Sequence, residues 1–139
     1  GCLWILGKLF ERVFIPQAVD KEWLRPGGYV APEWLSVQIL TEDTNNTAKE
    51  LYGKLDPGEA EAIALYSSLE TNWLLLDDLN GRKVARTMHI PVVGTLGILV
   101  AAKRKGLLKA ISPALDGLIR HRYYIDDEIL KKALILADE

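Results

Sequence analysis

Three features of the sequence predict an α/β fold built on a mostly parallel sheet. Short apolar runs suited to buried strands, Val13-Phe14-Ile15, Leu74-Leu75-Leu76 and Val92-Val93, recur along the chain and are separated by helical patterns. The stretch Leu55-Asp56-Pro57-Gly58-Glu59-Ala60-Glu61 announces a helix, with Asp56 suited to the cap, Pro57 to the first turn and Glu59 three residues after the cap as in a capping box. The run Trp73-Leu74-Leu75-Leu76 ends in the adjacent acids Asp77 and Asp78. Acids at a strand's carboxyl end face the crevice where open α/β sheets bind ligands.

Taken in order, apolar residues at 3, 5, 6, 9 and 10 suit a short amphipathic helix over Leu3 to Phe10. Val13-Phe14-Ile15 reads as a strand stopped by Pro16, which opens a helix carrying Ala18, Val19, Glu22 and Trp23. Arg25-Pro26-Gly27-Gly28 is a turn, and Ser36 to Leu40 is a short strand. Thr44-Asn45-Asn46-Thr47 caps a helix over Ala48 to Tyr52 that Gly53 closes. In the central helix Ala60, Ile63, Ala64 and Ser67 mark the packed face, and Glu59 and Glu61 fall on its opposite flanks, so periodicity selects neither as a ligand. Leu79 to Arg86 is a turn feeding a helix, on which Arg82 and Arg86 share a face one turn apart. A strand at Val92-Val93 leads to Thr95, read as the cap of a helix through Lys105 that Gly106 ends. Two amphipathic helices follow, Pro113 to Tyr123 and Asp126 to Ala137, and both read as packing or dimer surface.

The chain has 139 residues, 49% of them hydrophobic, enough for one compact domain over 1–139, and no Gly/Ser/Pro-rich linker divides it. A formal charge of −2 disfavours coating a polyanion through overall positive charge, so nucleic acid would have to meet a local basic patch. The lone Cys2 excludes an intramolecular disulfide and fits a cytoplasmic location. No apolar run approaches the roughly 20 residues that span a bilayer, so no membrane partner is expected. The aromatic residues Trp23, Tyr29 and Trp34 suit base stacking or the packing of an irregular segment. His89 and His121 have no metal-ligand spacing and are read as non-catalytic, and Lys103-Arg104-Lys105 is a helix end favourable to the dipole.

The ordered series Gly58-Glu59-Ala60-Glu61-Ala62-Ile63-Ala64-Leu65, Leu75-Leu76-Asp77-Asp78 with Gly81-Arg82-Lys83-Val84-Ala85, and Val93-Gly94-Thr95-Leu96-Gly97 with Ala102-Lys103-Arg104-Lys105-Gly106 resembles the PIN-domain superfamily. More narrowly it resembles the branch of PIN-like nucleic-acid-binding proteins related to the toxin ribonucleases of toxin–antitoxin pairs. The resemblance implies a three-layer fold with a mostly parallel central sheet flanked by helices. It implies Mg2+ or Mn2+ as cofactor, single-stranded RNA or another nucleic acid as substrate and an antitoxin-like protein partner, while the unpaired strand edges that a missing first strand leaves point to a homodimer. Relatives open with a hydrophobic strand ending in an aspartate, whereas the first element legible here is the helix from Leu3. The expectation is therefore an N-terminally incomplete PIN-like domain without the first catalytic aspartate.

Carried over residue by residue, the resemblance assigns Glu22, Glu61 and Asp77 as catalytic metal ligands, with Asp78 as a further ligand and Glu59 as the alternative to Glu61. It places Leu79 where toxin-type relatives have another acid. Arg82, Arg86 and Thr95 are the candidate nucleic-acid contacts. The leading expectation is a metal-dependent ribonuclease in which the cation activates water for attack on a phosphodiester. The competing expectation is a PIN-like scaffold that binds nucleic acid or a protein without cutting.

Overall fold

The computed structural model describes residues 2–139, which fall into two compact units: Glu11–Val93, and residues 2–10 together with Gly94–Glu139. The fold is α/β with parallel strands flanked by helices, as the sequence predicts.

Within Glu11–Val93, strand β1 (Val13–Pro16) pairs in parallel with β2 (Leu35–Gln38), in the register Val13 to Leu35. Between them run one helical turn, α2 (Gln17–Val19), and a π-helical turn over Asp20–Leu24. Helices α3 (Glu42–Leu51) and α4 (Pro57–Ser68) follow, then β3 (Leu74–Leu75), α5 (Leu79–Thr87) and β4 (Val92–Val93). Strands β3 and β4 make a second parallel ladder, which the bond from the Leu76 N–H to the Val93 carbonyl extends at 3.0 Å. The strands are thus joined as two pairs, and α4 packs against both β1 and β3. Its buried side is Gly58, Ala60, Ile63, Ala64 and Leu65, the small residues letting its backbone approach its neighbours. The core around it gathers Leu55, Ile63, Leu74, Ala85 and Ile90.

The other unit contains α1 (Trp4–Leu9), α6 (Thr95–Arg104), α7 (Ser112–Arg120) and α8 (Asp127–Leu136). Helix α6 packs against α1 and α8, with Ile98, Leu99, Val100 and Ala102 buried. The Glu139 carboxylate lies at the start of α7, accepting from the Ile111 N–H at 2.7 Å, the Ser112 N–H at 3.2 Å and the Ser112 hydroxyl. Lys103 reaches the same group at 3.1 Å. These donors hold the Glu139 carboxyl down at about 2, with the Ile111 N–H contributing most.

Three departures from the sequence expectation concern how helices are capped at their starts. Helix α3 begins at Glu42, because the Thr41 hydroxyl caps it by accepting the Thr44 N–H at 3.4 Å, and Glu42 and Asp43 favour its first turn. Thr95 does not cap α6: the cap position is Gly94, and Thr95 is the first helical residue. Asp78 does cap, its carboxylate accepting the Gly81 N–H at 2.9 Å, so that α5 starts directly after the acids. Gly106, at φ 75°, ends α6 as expected.

Candidate acidic site at the head of α4

The start of α4 concentrates the candidate acids. Asp56 occupies the cap position, but its side chain makes no capping bond. It meets Glu59 instead: the two carboxyl groups hydrogen-bond each other, and the Asp56 N–H donates back to Glu59. The second contact is the returning half of a capping box. Two acids can share such a bond only when one holds a proton. The Glu59 carboxyl is accordingly raised to about 7, first by burial, then by its bond to Asp56 and by the negative charges of Asp56 and Asp78.

Asp78, which follows β3, acts on Glu59 only through its charge, the smallest of the raising effects. Its carboxylate is fixed by the bond to Gly81, whose missing side chain matters: a Cβ there would lie 2.8 Å from Leu76 Cδ2. Gly81 thus packs closely on Leu76 at the start of the helix that Asp78 caps. Asp77 is exposed and lies beyond the strand, which ends at Leu75.

Glu22 comes from the π-helical turn, and its Oε2 lies 3.4 Å from where a Cβ of Gly58 would stand. The carboxylate thus rests on the first turn of α4, a favourable place for negative charge. Glu61 takes a different direction. It hydrogen-bonds the Tyr52 hydroxyl, which partial burial and then the Glu61 charge hold above the ordinary phenol range.

The structure therefore draws together Asp56 and Glu59, lets the Asp78 charge act on Glu59, sets Glu22 against Gly58, and turns Glu61 to Tyr52. Sequence reasoning does not single out Asp56 as a site residue. Its signal is present all the same, since the capping box that points Glu59 back to residue 56 places two acids side by side. Arg82 is half-buried and Arg86 exposed on α5, in the helix that Asp78 caps. Thr95 belongs to the other unit.

An oxygen-only donor set is of the kind that hard cations such as Mg2+ or Mn2+ take. Among the described residues, however, no three acids, histidines or cysteines stand together as a group that could hold a metal ion. As arranged here, Glu22, Glu59, Glu61, Asp77 and Asp78 do not make a complete cation site. What the cluster offers instead is a carboxylic acid protonated close to neutrality, hence a hydrogen-bond donor as well as an acceptor. No helix among the described residues is long and apolar enough to cross a membrane.

A family model described as a PIN domain matches residues 1–139. No curated protein and no solved structure matches the chain.

Proposed function

The chain belongs to the PIN-domain family, and on that premise we propose that it binds single-stranded RNA at the head of α4, and that residues 1–139 bind this ligand without cutting it efficiently. Family membership makes the function nuclease-like and concerned with nucleic acid. The observation that carries the finer reading is the Asp56 and Glu59 carboxyl pair, with Glu59 raised to about 7. The proton that Glu59 keeps toward neutral pH is held in its bond to Asp56, and it lowers the negative charge that a phosphate would meet there. The same cluster falls short of three convergent ligands, which disfavours efficient cation-assisted cleavage by this arrangement. Arg82 and Arg86, on the helix that begins after Asp78, supply phosphate contacts that a chain of net charge −2 must provide locally.

The second reading is a Mg2+- or Mn2+-dependent, toxin-like endoribonuclease with Glu22, Glu59 and Asp78 as its acids. It is favoured by the seating of Glu22 on Gly58, one residue before Glu59. A homodimer and an antitoxin-like protein partner belong to this reading.

The deciding experiment incubates the chain with a labelled single-stranded RNA, with and without Mn2+, and follows anisotropy and product length together. Binding that Arg82→Ala with Arg86→Ala weakens, without Mn2+-dependent cleavage, supports the first reading. Chelator-sensitive cleavage abolished by Asp78→Asn supports the second. Absence of binding refutes both. Light scattering on the same sample tests the homodimer.

A further inference from the structure

Next to the acids, the chain turns an aromatic pair outward. Trp23 sits in the π-helical turn directly after Glu22, and Tyr29 lies beyond the turn that follows. Their rings are 5.8 Å apart between centroids, tilted by 31°. That is the spacing of a contacting aromatic pair. Yet Tyr29 remains 60% exposed and Trp23 38% exposed. Such large aromatic surface is ordinarily buried when its role is packing.

The pair is also held in place. The Tyr29 N–H donates to the Leu24 carbonyl at 3.1 Å, the Gly27 N–H to the Trp23 carbonyl at 3.3 Å, and the Gly28 N–H to the Arg25 carbonyl at 3.1 Å. A Cβ at Gly27 would overlap the Tyr29 ring, so only glycine lets the ring lie across that backbone. Gly28, at φ 67°, completes the reversal. Asp20, 9% exposed, pins Arg25 through Nε at 2.8 Å. The Arg25 side chain nevertheless stays 60% exposed and presents its remaining donors to solvent. Lys21 is exposed in the same turn.

We propose that Trp23 and Tyr29 form a stacking platform for an unpaired nucleobase, with Arg25 receiving the adjoining phosphate. The inference rests on the single-stranded RNA reading and deepens it by naming where a base is held. Because the two rings touch, no base enters between them, and the base stacks on their outer surface. Stacking needs only a flat π-face, so this platform takes any base and contributes affinity without sequence choice. Its position gives it a reason to exist. Trp23 is bonded to Glu22, and consecutive Cα atoms are about 3.8 Å apart. The platform thus follows directly in the chain on the residue whose carboxylate rests against Gly58.

The test compares a fluorescent ten-residue oligouridylate with an abasic ten-residue strand carrying the same phosphates, both titrated with the full chain. The expected result is tighter binding of the base-bearing strand, and a loss of about 10-fold for Trp23→Ala and for Tyr29→Ala on that strand alone. Trp23→Phe and Tyr29→Phe should bind as the unchanged chain does. If Trp23→Ala fails to fold, Tyr29→Ala and Trp23→Phe decide the matter. Equal binding of the two strands, or unaltered binding by Tyr29→Ala, overturns the platform, leaves the RNA reading standing and assigns the rings to a protein partner. No binding of either strand by the unchanged chain overturns both.

Discussion

Replacing Glu59 by glutamine should make the chain more stable at alkaline pH and leave it nearly unchanged at acid pH. The Glu59 carboxyl titrates at about 7 in the folded chain against an ordinary value of 4.5. Between those values the folded chain holds a proton that the unfolded chain has released. The stability associated with this group is therefore complete below about 4.5 and is lost as the pH rises through about 7. For a fully buried carboxyl whose titration moved this far, the free energy involved would be roughly 3 kcal/mol. Glu59 is only partly buried, and solvent screening reduces the expected figure to about 1 kcal/mol. Glutamine keeps an N–H donor toward Asp56 and brings no charge to face Asp56 and Asp78. Urea unfolding followed by circular dichroism from pH 4 to pH 8 should show a difference between variant and unchanged chain near zero at pH 4. At pH 8 the difference should reach about 1 kcal/mol in favour of the variant. A difference that stays flat with pH, or a variant weaker at pH 8, would refute the shared proton between Asp56 and Glu59.

Three further outcomes are expected. Gly81→Ala should destabilise by roughly 1–3 kcal/mol, because its Cβ would meet Leu76 Cδ2 at 2.8 Å, and thermal unfolding measures the loss. Ile63→Ala, at a fully buried position of the α4 core, should cost roughly 2–5 kcal/mol in the same assay. Glu139→Gln should speed amide exchange at Ile111 and Ser112. In the unchanged chain this protection is present above about pH 4.5 and fades as the pH falls toward about 2, which exchange measured across that range would follow.

How much of this is legible in the sequence depends on the range of the interaction. The head of α4 is readable because Asp56, Pro57 and Glu59 act on one another within a single turn. The strands at 13, 74 and 92 are readable because each is a short apolar run ended by proline, an acid or glycine. The choice between Glu59 and Glu61 is not, because periodicity gives them equal offsets. Tyr52, beyond the end of α3, is what engages Glu61, whereas burial and its bond to Asp56 are what act most on Glu59. The sequence pattern places the start of α3 too late because several hydroxyl and amide side chains there can serve as caps, and only the backbone bond to Thr41 selects one. The exposure of Trp23 is hidden because a π-helical turn changes which side chains face outward, and no residue pattern announces it.

The pairing of the strands in two short ladders has a consequence for how order is distributed. A two-stranded ladder is marginal alone, and β3 and β4 are two residues each. Helix α4 contacts a strand of each. The strands thus depend on the helix for their persistence rather than providing a floor on which it rests. Slow amide exchange at Val13, Leu74 and Leu76, whose N–H groups bond to Trp34, Pro91 and Val93, should be lost together with that of the α4 interior. The acids at the start of α4 therefore sit on the element whose opening would release both ladders at once.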